Sequence, residues 1–480
     1  MKSLLKNIYW VTIILASALT LNGCGGGSDS TPSTTSGSAV SQGVITAKGS
    51  VFVNGIEYFS NSSTSITIDG SPVADDTFLK EGMTVKVRGS SDDVSKKGTA
   101  TKIEAKDALE GKIDSVDNTK KTITVMGQTV QIEDNVTRLN DDNTQKVFSS
   151  ASFASGDIVE VNGFPDDNGG LHATRVAKKL SGEFESKGFV ANLTATSFDL
   201  SRTPGAAPFI TVNFTSLPAG VVDGSLVEVK ATGTPVAGVI TASSIRLEDS
   251  LGSSGEKVEI EGIVSSLTPG TTASDFDIVI NGQHILTDAS TLYEGGLSAD
   301  MAPGVKLEAK GTLNSSGVLV ASKISFRSHI KIEGDASAVT ATGLTVLGQT
   351  VSINALTRLA NNVLPVAGAH IEVRAKLDRN GNLIATRIQN RGGSKYFLQG
   401  TIDLPASNSA AGTLMLKGIT GITAISDGST QWRTSSSSVD TPVSQAAFFA
   451  QLQSASVVKV RWNSADTTLP IKEAEIELGK

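Results

Sequence analysis

Four histidines, His172, His284, His329 and His370, are the only imidazoles in the chain. No two of them stand at the spacing of metal ligands on one strand or helix face. Two short acidic runs hold several oxygen donors each, Asp166-Asp167-Asn168 and Asp378-Arg379-Asn380-Gly381-Asn382. Such runs can make calcium loops, so Asp166, Asp167, Asp378 and Asn380 are the metal candidates. Both runs lack a closing bidentate Glu, and Asp, Asn and Gly are also what a hairpin turn uses, which is the preferred reading. No Gly-x-Ser-x-Gly elbow accompanies the many serines. Carboxylates are spread along strand-like segments, and because a glycosidase pair need not be close in sequence, no catalytic residue or cofactor is assigned. Arg138 and Arg358 recur at matching places, as do Arg175 and Arg387. Each is either a stem packed along its unit with the head in water or part of a ligand-facing row. Trp432 and Trp462 are the tryptophans able to stack on a sugar ring, since Trp10 falls in the N-terminal apolar run.

The single cysteine, Cys24, has a chemistry set by what precedes it. Lys2 and Lys6 come first, and Ile8–Leu21 is apolar except for Thr12, Ser17 and Thr20. That run is shorter than the roughly 20 residues of a spanning helix and fits the core of a signal peptide. Leu21-Asn22-Gly23-Cys24 resembles the lipobox of bacterial lipoproteins, with Asn22 departing from the usual small or alkyl residue. The resemblance implies cleavage before Cys24 and acylation of its sulfur with palmitate-type chains. The membrane would then be a partner through Cys24. Gly25, where Asp would favour retention at the inner membrane, points by the same resemblance to the outer membrane of a Gram-negative cell envelope. With no second cysteine, no intrachain disulfide can form.

The 480 residues carry a formal charge of −7, which gives no overall electrostatic footprint for nucleic acid. Aromatic residues are 5% of the chain, too few for wide stacking platforms. Its 48 glycines beside 39% hydrophobic residues suit a folded protein with many tight turns.

The elements that must position any site are written as a repeat of ~70 residues. Each copy opens on a glycine two residues before an apolar residue: Gly43, Gly111, Gly182, Gly262, Gly334 and Gly400. A hairpin follows in most copies, turning at Asn54-Gly55, Met126-Gly127, Asn281-Gly282 or Leu347-Gly348. Next comes an alternating strand led by a glycine (Gly82, Gly156, Gly224, Gly304, Gly368), with a charged residue such as Glu160, Glu228, Glu308 or Glu372 on what reads as a wet face. In the sixth copy Ala455 stands in that glycine's place. A closing strand carries Ala-x-x-Ile or Val, as in Ala173 with Val176 and Ala385 with Ile388. So small a sheet must curl to bury its apolar face, which predicts an all-β chain of tandem OB-like barrels, about six copies, each with its own core.

The Gly-x-Ile opening, Gly-Gln-Thr-Val hairpin, Gly-x-x-Val-Glu-Val strand and Ala-Thr-Arg-Ile closure resemble a family of repeated β domains of unknown function found in exported bacterial proteins and lipoproteins. The copies beginning at Gly111 and Gly334 match all four elements, and those at Gly182 and Gly400 have diverged. The family implies export and a β fold, and it supplies no substrate.

The division expected is a signal peptide 1–23, a flexible tether 24–42, β units 43–107, 108–179 and 180–249, a linker 250–257 acting as a hinge, then units 258–327, 328–390 and a divergent 396–480. Repetition without a repeated polar cluster predicts a non-catalytic, lipid-anchored envelope protein that presents β domains for binding or spacing. An envelope protein or polysaccharide would be its partner. The alternatives are a carbohydrate or envelope-polymer binding module, and a hydrolase with an unrecognised carboxylate pair.

Overall fold

The computed structural model describes residues 38–478, except 93–94, 141–146, 150, 183, 273, 295–297, 327–329, 355–356, 379, 437–438 and 453–455. The expected signal peptide, Cys24, most of the expected tether, His329, Arg379 and Ala455 therefore lie outside the described residues. From Ser36 onward the chain is one compact body. None of its described helices is long and apolar enough to cross a membrane.

Unit 2 shows how one copy closes. Its opening strand, Leu109–Asp117, pairs antiparallel with Thr122–Val125, which turns back as Gln128–Gln131. That third strand runs parallel to the closing strand Leu171–Lys179, which pairs with the fourth, Ile158–Pro165, and the fourth returns to the opening strand. The order is opening, second, third, closing, fourth and back to opening, a closed five-stranded barrel with OB topology. Units 1, 4 and 5 repeat every one of these pairings. Unit 3 keeps the order with its closing strand split into Val239–Thr241 and Ser244–Leu247. Unit 6 keeps the opening, fourth and closing strands and adds a helix, Gln445–Gln451, capped by the Ser444 hydroxyl.

Closure has a repeated cause. In units 1, 2, 4 and 5 the closing strand bulges at the residue after its alanine, Thr101, Thr174, Ser322 and Thr386, where the fourth strand runs on unbroken through Gly89, Gly163, Gly311 and Ala375. A bulge adds the local bend that a short strand needs to curl into a barrel. A threonine after the hairpin then ties that strand down, since Thr64, Thr137, Thr291 and Thr357 donate to the carbonyls of Ala100, Ala173, Ala321 and Ala385. The opening glycine serves the turn. A Cβ on Gly111 would lie 2.5 Å from Met126 Cγ, and one on Gly334 would lie 2.9 Å from Leu347 Cγ. Both turn residues are non-glycine at positive φ, and the space under them lets their side chains bury.

The units are not a row of independent barrels. Opening strands pair across units: Leu109 and Glu110 of unit 2 with Ser186 and Glu185 of unit 3, and Lys331–Glu333 of unit 5 with Gln399–Phe397 of unit 6. Ala39–Gln42 of unit 1 run parallel to Lys257–Ile260 of unit 4. Three sheets result, covering units 1 and 4, 2 and 3, and 5 and 6. Units 2 and 3 share one apolar cluster and units 5 and 6 another, while units 1 and 4 keep separate ones except that Val40 of the unit 1 strand joins the unit 4 cluster. The expectation of one core per copy is corrected for the sharing pairs, because each outer face is covered by a neighbour. For the same reason Glu228, Glu308 and Glu372 are buried where a wet face was expected, and Glu110 and Glu185 of the opening strands are buried with them. The stretch 250–257 also packs: Leu251 joins the unit 4 core, Glu256 meets Arg88 at 3.3 Å, and the Gly255 N–H donates to Leu313.

Replacing Gly111 with Ala forces Met126 out of its place. Overpacking of this kind costs about 1–3 kcal/mol, so the urea midpoint of the variant is expected to fall; an unchanged midpoint would contradict the role given to this glycine.

Candidate functional site

The recurrent arginines join units. Arg138 of unit 2 pairs with Glu81 of unit 1, and its stem lies against Gly82. Arg358 of unit 5 occupies the matching place: it pairs with Asp167 of unit 2 at 2.5 Å and crosses Gly304 of unit 4 so closely that a Cβ there would overlap it. Both join units, a role that neither sequence reading included, and Arg358 also lines a cleft. The hairpin glutamines do likewise. Gln128 Nε2 reaches the Ser186 hydroxyl, and Gln349 exchanges two hydrogen bonds with the Thr420 backbone. Contacts from unit 1 to 2 to 3 thus recur from 4 to 5 to 6, the arrangement of a duplicated set of three.

The other candidates are placed as follows. Trp432 is 7% exposed and Trp462 2%, so neither ring is open to a sugar. Trp432 packs on Phe448 and Phe449, and Trp462 Nε1 donates to the Leu469 carbonyl; the stacking role is withdrawn because both complete the unit 6 core. The calcium reading of the acidic turns is likewise corrected. Asp166 Oδ1 accepts from the N–H groups of Asn168 and Gly170, and Asp378 Oδ1 from those of Asn380 and Asn382. These carboxylates close their own hairpins. Asp167 is held by Arg358, and Asn380 Nδ2 donates to Asn135 Oδ1 of unit 2.

What these joints enclose is a cleft of about 490 Å³ where units 2, 4, 5 and 6 converge. Ile263, Val305, Phe326 and Leu377 give it apolar walls; Lys306, Arg358, Arg374, Lys376, Arg387 and Lys417 bring cations. Among its lining carboxylates, Asp300 is buried and paired with Arg374, with Arg387 at 3.7 Å, and Asp167 is paired with Arg358. Exposed pairs such as Arg358–Asp167 contribute under about 1 kcal/mol. Lys417 lies exposed at the rim. The volume is in the range of small-ligand sites, and the lining carries more cationic than acidic side chains.

Glu133, which no motif marked, anchors this cleft. Its carboxylate is 2% exposed, accepts from Lys376 Nζ at 2.6 Å and Asn354 Nδ2 at 3.0 Å of unit 5, and meets His172 Nε2 at 3.3 Å. Burial pushes its pKa up, but Lys376 and His172 outweigh burial and hold it well below the usual carboxylate range. The available signal was a mismatch between near-duplicates: Gln131-Ile132-Glu133 in unit 2 stands where Ser352-Ile353-Asn354 stands in unit 5.

A second cavity of about 320 Å³ lies among units 1 to 4, lined by Lys86, Asp107, Lys187 and Arg202 among others. Burial, then the neighbouring Asp69 charge, pushes the Asp107 carboxyl well above its ordinary value.

Since the folded pKa of Glu133 is depressed, its contribution is complete above the unfolded value of about 4.3 and is lost as pH falls below it. Urea midpoints measured from pH 6 down to 3 are expected to decline less steeply in Glu133→Gln than in the unmodified chain. Identical slopes would contradict this assignment.

No curated protein matches the sequence. A solved structure of drosophila Unr CSD456 is 14% identical over a match covering 59% of this chain and 97% of that one, with a TM-score of 0.15, too low to carry any argument. A family model described as "Domain of unknown function (DUF5666)" matches residues 39–104, 110–177, 261–325 and 333–389, which are units 1, 2, 4 and 5. Unit 3 has kept the barrel order and unit 6 its opening, fourth and closing strands, while both have lost the pattern that the model reads. With more than half its length matched, the chain belongs to this family of repeated domains of unknown function.

Proposed function

We propose that this is a non-catalytic, lipid-anchored protein of the bacterial cell envelope, probed best as a binder of an anionic envelope polymer. The observation that carries the binding reading is the cleft where four units bring together Lys306, Arg358, Arg374, Lys376, Arg387 and Lys417. Apolar walls beneath a cationic lining suit a polymer that offers sugar or alkyl surface and acidic groups together. The paired state of Asp167 and Asp300 favours binding over hydrolysis, because each carboxylate is engaged by arginine. Anchoring rests on the lysines and apolar run before Leu21-Asn22-Gly23-Cys24, and Gly25 favours the outer membrane.

The full chain in detergent is expected to bind dextran sulfate and not neutral dextran, with affinity falling as salt rises. Lys306→Ala combined with Lys417→Ala is expected to weaken that binding at least about tenfold, as the loss of 1.4 kcal/mol would. Equal binding of both dextrans, or no effect of the substitutions, would contradict the binding reading. Cys24→Ala is expected to move the protein out of the membrane fraction, and retention there would contradict the anchor.

A further inference from the structure

We infer that Asp69, Asp107 and Glu185 form a site for one hard divalent cation, calcium or manganese, at the seam of units 1, 2 and 3. The carboxylates come from three places. Asp69 is in the turn after Ser65–Ile68 of unit 1, Asp107 is in the connection between units 1 and 2, and Glu185 is on the opening strand of unit 3. One oxygen from each lies within 4.8 Å of the others. Calcium takes oxygen ligands at about 2.3–2.6 Å, so oxygens on opposite sides of one ion stand about 4.6–5.2 Å apart, and these three fit around a single ion.

A cluster of acids alone would not establish a site. The second observation is that three of its oxygens are orphaned. Asp107 Oδ1 and Oδ2 and Glu185 Oε1 are buried from solvent and accept no hydrogen bond, on side chains only 1% and 7% exposed. A buried carboxylate without hydrogen bonds is costly to keep, and native folds pair such atoms with a donor or an ion. The nearby cations pair with these groups without hydrogen-bonding the orphaned oxygens. Lys230 holds the other oxygen of Glu185 at 2.6 Å. Lys187 donates to the Asp107 backbone carbonyl, stands 3.8 Å from Asp107 Oδ1 and 3.6 Å from Glu228, and so leaves the Asp107 carboxylate without a hydrogen bond. Asp69 Oδ1 accepts the Asp107 N–H at 3.0 Å, which holds the Asp69 carboxylate beside Asp107. Oxygen-only donors favour calcium, magnesium or manganese over zinc or copper, and three carboxylates leave positions that water would fill. The ion would clamp unit 1 to unit 3 through the connection that leads into unit 2, in a chain with no disulfide to do so.

The test uses the full chain in detergent, stripped with EDTA and dialysed, with Mn²⁺ as the counted probe and Ca²⁺ as competitor. One equivalent of Mn²⁺ per chain is expected to be retained at neutral pH and displaced by Ca²⁺, with a rise in Tm on adding Ca²⁺. Glu185→Gln is expected to weaken retention at least tenfold and Asp107→Asn to abolish it, while Asp378→Asn leaves it unchanged. No retained ion in the unmodified chain, or retention indifferent to Glu185→Gln and Asp107→Asn alike, would overturn the site. If Asp107→Asn fails to fold, Glu185→Gln and the unmodified protein decide the matter between them.

Discussion

The structure depends on one constraint: the first half of each opening strand needs a hydrogen-bonding partner on the edge its own barrel leaves free. In a five-stranded OB barrel the second strand pairs only with the later part of the opening strand, as Thr122–Val125 pairs with Ile113–Asp117. The earlier part is bonded to the fourth strand on one side, and its other edge is open. Exposed edges invite association, and buried backbone groups must be paired. Here the six free edges satisfy each other in three couples, units 1 with 4, 2 with 3 and 5 with 6. Once these edges meet, the outer faces of neighbouring barrels are pressed together, and the charged residues on them must find partners.

That pressure accounts for the polar seams. Glu110 lies opposite both Glu160 and Glu185 in register, and the repulsion is offset by Lys179, within 3.4 Å of both Glu110 and Glu160, and by Lys230 on Glu185. The desolvated Glu133 is satisfied by Lys376, Asn354 and His172. The cleft and the Asp69–Asp107–Glu185 cluster are both products of packing barrels against barrels. A single unit would contain neither, since each draws residues from three or more segments of the chain.

The sequence was legible where a physical rule acts within one unit. Period-two alternation marks the strands, Asn-Gly and Met-Gly mark the turns, and recurrence marks the barrel. It was opaque where the determinant lies between units. Alternation tells which face of a strand is apolar and is silent on which edge is paired, so cross-unit pairing and shared cores left no trace in the pattern. Arg138 and Arg358 were noticed as recurrent, yet their partners, Glu81 and Asp167, stand at unlike places in their units. Trp432 and Trp462 suggested stacking on a sugar because they are the tryptophans left once Trp10 is set aside. Their burial follows from the extra helix of unit 6, whose Phe448 and Phe449 enclose Trp432.

Hydrogen exchange on the intact chain reads the central constraint directly. Amides in 109–112, 184–187, 257–261, 330–334 and 396–400 are expected to exchange as slowly as those of the fourth strands inside the barrels. Exchange there as fast as at the hairpin turns would mean that these edges are open, and the account of barrels held in pairs by their opening strands would fail.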